Sequence, residues 1–294
     1  MDRNLREILL REGDVFRPSL ENRIAYQHER DYSLLTIWMD RDRNKNIFRI
    51  VKDEVKRLRE SGVKYIRILD IGCAYGNHIF MLNSELDKDP NVDYVGIDIN
   101  PGQLQFPVSF KKYIPGYDNC DFIISDIETG LCFDDATFEI VLCSDVMEHL
   151  EDLPAGMSEI SRVLKSGGKM IFTSPLKNGI FKSISNIMDK ISGGSLKKRY
   201  YDGGTKLSSE ISKYDDPEYG HGHVSEMSLR GYIKSAAESG LFPIETIKAS
   251  VFSGSMIFDR HPFLLSALVF IESLHRVFKF TSWAHGVQIV FEKK

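Results

Sequence analysis

Leu69-Asp70-Ile71-Gly72-Cys73-Ala74-Tyr75-Gly76-Asn77, with Asp98 standing 22 residues after Gly76 at the end of Tyr94-Val95-Gly96-Ile97-Asp98, is the stretch that decides the fold. An apolar run of strand length enters a turn of small residues and leaves it as a helical pattern over 79–86. Glycines at a strand-to-helix turn let the backbone approach a ligand, because no side chain intervenes. The dinucleotide fingerprint requires G-x-G-x-x-G. Gly72-x-Ala74-x-Gly76, with the acidic Asp70 ahead of its first glycine, fits a nicotinamide or flavin site poorly. A carboxylate ending the second strand of such a unit can accept hydrogen bonds from both hydroxyls of a ribose. Alone, Asp98 reads equally well as a turn or helix-cap residue, since Asn100-Pro101 follows it; beside the glycine turn, the ribose contact is favoured.

Outward from this unit the alternation continues. Strand-like runs at 65–71, 94–97, 122–124, 139–143 and 169–173 are separated by helical stretches at 79–86, 101–110 and 155–164. Near-continuous apolar strands alternating with helices predict a parallel sheet covered on both faces. Ligands in such sheets sit outside the carboxyl ends of the strands, at the switch point of the strand order. Before this zone, residues 1–62 are charged and read as a helical extension or cap. Leu34, Leu35, Ile37 and Trp38 form one apolar face and Ile47, Ile50, Val51, Val55 and Leu58 another, ending at Ser61-Gly62. After it, an irregular stretch to about residue 222 precedes a helix at 228–239, a strand at 243–250, an apolar helix at 262–280 and a final strand at 286–291.

The 294 residues suffice for one large α/β domain with additions, and 42% hydrophobic content is ordinary for a globular core. The net charge of −4 argues against a protein that wraps nucleic acid through bulk charge. Cys73, Cys120, Cys132 and Cys143 form no C-x-x-C pair, so they read as free thiols of a reducing cytoplasm. The N-terminus shows no secretory apolar stretch, and no run of 18 apolar residues occurs. A cytoplasmic protein without a transmembrane segment is therefore expected.

The remaining strand ends are Ile124-Ser125-Asp126-Ile127 and Val141-Leu142-Cys143-Ser144-Asp145-Val146-Met147-Glu148-His149-Leu150; Arg162-Val163-Leu164-Lys165-Ser166-Gly167-Gly168 precedes the fifth strand. Together with 69–76 and Asp98, these residues resemble the class I S-adenosylmethionine-dependent methyltransferase family, in its subgroup of ubiquinone-pathway and other small-molecule enzymes. The resemblance covers roughly 64–175. It implies a Rossmann-like, doubly wound, seven-stranded and mostly parallel α/β sheet over 63–294, with a substrate lid inserted at 176–224 and an apolar helical insertion at 261–280. It implies S-adenosylmethionine as cofactor, held by Asp70, Gly72, Cys73, Ala74, Gly76, Asp98, Ile99, Asp126, Ile127, Cys143 and Ser144. Ala74 replaces the family's usual middle glycine and reads as a small intrusion.

In-line methyl transfer asks the protein mainly for alignment and exclusion of water, while a hydroxyl acceptor also needs its proton removed. The candidate bases are His149, His223 and Asp145, with Glu148 and His221 nearby in pattern. Asp145, Glu148, His149 and a later histidine also offer ligands of the type that hold a divalent cation, although metal-free relatives share the Glu-His-Leu ending and no metal is expected. Lys177, Lys182, Lys190, Lys197, Lys198 and Arg199, followed by Tyr200 and Tyr201, suit an acidic or phosphorylated acceptor or simply form a solvated face. Tyr26, Tyr32 and Trp38 would approach the acceptor if the N-terminal extension caps the site. The helix at 262–280 either packs within the domain or meets a membrane surface or a second subunit in a homodimer. The expected activity is methylation of a hydroxyl or amine of a small or medium acceptor such as a sugar, glycolipid precursor, phenol or natural product. The rival readings are a metal-assisted RNA ribose methyltransferase and a catalytically silent binding module.

Overall fold

A computed structural model describes residues 34–177, 224–250, 263, 266–271, 274 and 286–294. The five central apolar runs form the parallel strands β1 (Ile66–Ile71), β2 (Val92–Asp98), β3 (Cys120–Ile124), β4 (Phe138–Ser144) and β5 (Leu164–Pro175). Two later strands, β6 (Leu241–Ser250) and β7 (Gly286–Lys293), complete the sheet. The order is β3-β2-β1-β4-β5-β7-β6, and only β7 runs antiparallel to its neighbours. The order reverses between β1 and β4, so the crevice outside their carboxyl ends is the switch point.

Among the described residues, the helices with described bounds are α1 (Leu34–Glu60), α2 (Asn77–Glu85), α3 (Pro101–Tyr113), α4 (Leu153–Val163) and α5 (Leu229–Glu238). Local chemistry starts and stops them. Asn100, which reads as a turn residue in sequence, is the N-cap of α3: its side chain accepts from the amides of Gly102 and Gln103, and Pro101 occupies the first turn. Asp152 and Ser228 cap α4 and α5 in the same way. Past α1, Gly62 takes φ +92° and the Val63 amide reaches back to the Leu58 carbonyl at 3.0 Å, closing the helix with a left-handed glycine.

The sheet separates two apolar layers. On one face α4 and α5 pack with Leu69, Val141, Cys143, Phe172 and Ile289. On the other, Ile47, Phe48, Ile50, Val51, Val55 and Leu58 of α1 share a single core with Ile66, Ile68, Ile79, Phe80, Ile140 and Val290. Burying those six α1 side chains contributes on the order of 10 kcal/mol, an upper figure because the unfolded chain already hides some surface. Glu54, itself buried, fastens α1 to the sheet by pairing with Arg57 at 2.6 Å and with Lys169 of β5. Burial alone would raise the Glu54 pKa, but hydrogen bonds and charge from Arg57 and Lys169 outweigh it and hold the carboxyl below its ordinary value.

Boundaries differ from the sequence pattern in explicable places. Tyr65 is exposed and lies outside β1. Residues 165–168, which the sequence pattern places ahead of the fifth strand, are taken into β5, which starts directly after α4; its pairing with β4 slips between Phe138 and Ile140, and Gly167 adopts φ +73°. Cys73, Cys120 and Cys143 are buried thiols, whereas Cys132 is exposed. In the stretch read as an apolar helix, the described residues 263, 266–271 and 274 are helical, with Leu268 buried and Phe263, Phe270, Ile271 and Leu274 exposed. Among the described residues no helix is long and apolar enough to cross a membrane.

Candidate functional site

The turn after β1 is built from three left-handed residues: Gly72 at φ +66°, Ala74 at +47° and Gly76 at +75°. Crowding explains why two of them are glycine. A Cβ at Gly72 would stand 2.4 Å from Cγ2 of Val146, and one at Gly76 would stand 2.8 Å from Cε1 of Phe122. The turn is stitched to β2 by the Cys73 amide, which donates to the Ile97 carbonyl at 2.9 Å. It is stitched also by the Ala74 amide, which donates to Oδ2 of Asp98 at 2.8 Å. Oδ1 of Asp98 accepts from the Asn100 amide at 2.8 Å. Asp98 is thus fixed in orientation and nearly buried, and burial raises its pKa despite these amides. Each of its oxygens retains lone-pair capacity for a further donor.

Asp70, at the carboxyl end of β1, is buried, and neither carboxylate oxygen has a hydrogen-bond partner. Nδ1 of His78 lies 3.6 Å from its Oδ2, and Nε2 of His78 lies 3.3 Å from Oδ1 of Asn44 on α1. A buried carboxylate without hydrogen bonds is costly unless a ligand supplies the complement. Since Gly76 precedes α2, no side chain caps the first amides of that helix. The crevice therefore offers carboxylates suited to hydroxyls and to a cationic group, beside helix amides suited to a carboxylate. These are the features that the zwitterionic, sulfonium-bearing S-adenosylmethionine requires, and the residues present fit it.

The end of β4 forms the other wall. Asp145 is left-handed at φ +55°; its amide donates to the Thr173 carbonyl at 3.0 Å, Oδ1 accepts from the Thr173 hydroxyl at 3.0 Å, and Oδ2 pairs with Arg43 of α1. Ser144 lies 2.8 Å from the same Thr173 hydroxyl. Met147, Glu148 and His149 make a single 3-10 turn. Glu148 is buried; Oε2 accepts from Ser174 at 3.2 Å, and Ser174 lies 2.7 Å from the Tyr232 hydroxyl of α5. Burial, reinforced by the charge of Asp145, pushes the Glu148 pKa up to about 8. The Glu148 carbonyl accepts from the Val224 and Ser225 amides at 2.9 and 3.0 Å, which anchors the chain as it returns toward α5.

Of the residues singled out in sequence, the structure gathers Asp70, Gly72, Cys73, Ala74, Gly76 and Asp98 around one turn, with Asp145 and His149 just beyond the end of the neighbouring β4. Cys73 and Cys143 turn apolar, buried thiols into the core, where burial raises both pKa values, so only their backbones are available to a ligand. Asp126 accepts from the Glu128 amide at 2.9 Å in a tight turn after β3; Ile127 is buried and Ile99 exposed. His221 and His223 lie outside the described residues, as do Tyr26, Tyr32 and residues 178–223 of the expected lid. Among the described residues no group of three His, Cys, Asp or Glu is placed to hold a metal ion. Sequence reasoning missed Arg43, His78, Thr173, Ser174 and Tyr232. Thr173 and Ser174 end the fifth strand, where the strand-end rule already pointed; nothing in sequence marks Arg43 or Tyr232.

Residues 63–207 match the family model for a methyltransferase domain. The chain is 30% identical over 155 residues to demethylmenaquinone methyltransferase of Chlorobaculum tepidum, an alignment covering 50% of this chain and 60% of that protein. Over 107 residues it is 30% identical to phosphoethanolamine N-methyltransferase 3 of Arabidopsis thaliana, covering 36% of this chain and 20% of that one. The chain thus spans less than two thirds of the curated relatives it matches. Among solved structures, a candidate sarcosine dimethylglycine methyltransferase from Galdieria sulphuraria superposes with a TM-score of 0.51 at 19% identity, covering 94% of this chain and 98% of that one. A geranyl diphosphate methyltransferase with bound sinefungin gives 0.50 at 15% identity, covering 79% and 73%. At such identities the likeness is one of fold.

Proposed function

We propose that this chain, which carries a class I S-adenosylmethionine-dependent methyltransferase domain, transfers a methyl group to a hydroxyl or amine of a small or medium acceptor. The observation that carries the reading is the left-handed turn after β1, bonded through the Ala74 amide to Asp98 at 2.8 Å on the switch-point crevice. In that place Asp98 would accept from the ribose hydroxyls, Asp70 would face the amino group, and the uncapped amides of α2 would meet the carboxylate. Asp126 and Ile127, on the turn after β3, would border the adenine, with Ile99 at the mouth. When bound, S-adenosylmethionine supplies an electrophilic methyl on a sulfonium.

The chain's own task is to align an acceptor against that methyl and to keep water out. For a hydroxyl acceptor, His149 is the proposed proton acceptor. It stands on the turn that closes β4, and imidazole as a residue type exchanges protons near neutral pH. Asp145 is engaged by Arg43 and Thr173, and Glu148 is sealed against Ser174, so neither carboxylate is as well placed to take a proton. His223 and the segment at 176–224 complete the proposal as acceptor-side elements, consistent with the basic and aromatic residues there and with relatives that act on a quinone or on phosphoethanolamine.

Calorimetric titration with S-adenosylmethionine and S-adenosylhomocysteine tests the cofactor. Both should bind the wild-type chain, and Asp98→Ala should weaken both by at least about tenfold, the scale of a lost charged hydrogen-bond acceptor. No heat at millimolar ligand would defeat the reading. A screen of sugar, phenol and amine acceptors, read by S-adenosylhomocysteine formation, then identifies the substrate.

A further inference from the structure

The carboxyl ends of β1 and β4 flank the switch point, and one turn of α1 reaches both. Arg43 pairs with Asp145 beyond β4. Its chain neighbour Asn44 holds Nε2 of His78 at 3.3 Å, whose Nδ1 faces Asp70 of β1 at 3.6 Å. Phe48, one turn later, packs edge-on against the same imidazole at 6.4 Å and is buried in the core beneath. The helix is fixed on the sheet by Glu54 with Lys169 and by its apolar face, so the turn 43–48 cannot drift independently of the strands. All of these α1 residues precede the segment matched by the methyltransferase-domain family.

From this geometry we infer that the turn 43–48 of α1 is a strap across the crevice, in which Arg43 is a positioning residue for the end of β4 and Asn44 acts through His78 on Asp70. Asp145 shows why the strap is needed. Its left-handed backbone is one that few residues with a Cβ adopt, and its charge disfavours the ionised form of buried Glu148. The Arg43 guanidinium supplies the compensating charge, while the Thr173 hydroxyl and carbonyl set the direction. Without Arg43, the Asp145 turn loses the partner that holds Oδ2, and the wall beside the reacting methyl loosens. The inference rests on the reading that this crevice holds the cofactor.

The test uses the full chain and S-adenosylhomocysteine as the probe. Arg43→Ala should weaken binding about tenfold, the scale of coupling within one hydrogen-bonded network. Arg43→Lys should recover most of that loss. Adding Asp145→Asn to Arg43→Ala should recover affinity relative to the single variant, because the uncompensated carboxylate is then gone. Hydrogen exchange of peptides spanning 143–150 should quicken in Arg43→Ala and return toward wild type in Arg43→Lys. A melting temperature lowered by Arg43→Ala, with wild-type affinity and unchanged exchange at 143–150, would overturn the strap and leave Arg43 a purely structural residue. If the wild-type chain fails to bind the probe, the cofactor reading falls, while the exchange experiment still decides whether Arg43 holds the β4 turn.

Discussion

Replacing Gly76 with alanine should cost stability and cofactor affinity together. Two effects add. The residue sits at φ +75°, where a Cβ costs about 1–2 kcal/mol. The new methyl would also meet Cε1 of Phe122 at 2.8 Å and Cβ of Pro107 at 3.0 Å. Neither neighbour yields easily. Phe122 is tilted against Phe80 at 5.4 Å, Phe80 against Phe110 at 4.5 Å, and Pro107 is buried within α3. Overpacking of this kind costs about 1–3 kcal/mol, and the lost freedom of glycine in the unfolded chain returns about 0.4–1 kcal/mol. The net loss is about 2–4 kcal/mol, or a fall of about 3–7 °C in melting temperature for a chain of this size. Thermal unfolding followed by circular dichroism reads the first effect, and calorimetric titration with S-adenosylhomocysteine the second. A melting temperature within about 2 °C of wild type would refute the claim that this turn is both left-handed and closely packed.

Ala74→Gly should act in the opposite direction, raising stability by about 0.5–1 kcal/mol, since relief of the φ +47° conformation exceeds the entropy that glycine adds to the unfolded chain; an equal or lower melting temperature would contradict it. Glu148→Gln should gain on the wild type as pH rises. The raised pKa means that the folded state keeps a proton which the unfolded state has released, so wild-type stability is full below the ordinary glutamate pKa and is lost as pH rises toward about 8. Unfolding free energies from urea titrations at about pH 5 and about pH 8 should shift by on the order of 3 kcal/mol in the variant's favour, and a constant difference would dismiss the assignment. Glu54→Gln has the reverse sign. The depressed pKa contributes stability above the ordinary glutamate range, so the variant should lose about 3 kcal/mol near neutrality. The gap should close in acid as Glu54 itself protonates, whereas a gap independent of pH would show that charge is not what fastens α1.

Much of the site's frame was legible in sequence because its signals are local. The period change after Gly62, the apolar runs and the glycine turn are consequences of neighbours along the chain, and they located the seven strands and the carboxylates Asp70 and Asp98. Asn100 was read as a turn because the pattern of an N-cap with a following proline differs from a turn only in what comes next. Ala74 looked like a small intrusion of volume; the structure makes it a matter of backbone conformation, since its φ is positive at +47°.

By itself, then, the sequence determined the alternation of strands and helices, the glycine turn after the first strand and the acid that ends the second, because each depends on spacing within a few tens of residues. The strand order, and with it the placing of the crevice between β1 and β4, was decided by tertiary structure. So were the roles of the residues around that crevice. Arg43 and Asp145 are 102 positions apart, and Ser174 and Tyr232 are 58 apart. A charge pair of that separation forms only once the sheet has brought its members together, and the burial that perturbs Glu148 exists only when β5 and α5 close over it. Periodicity along a chain carries no trace of either event.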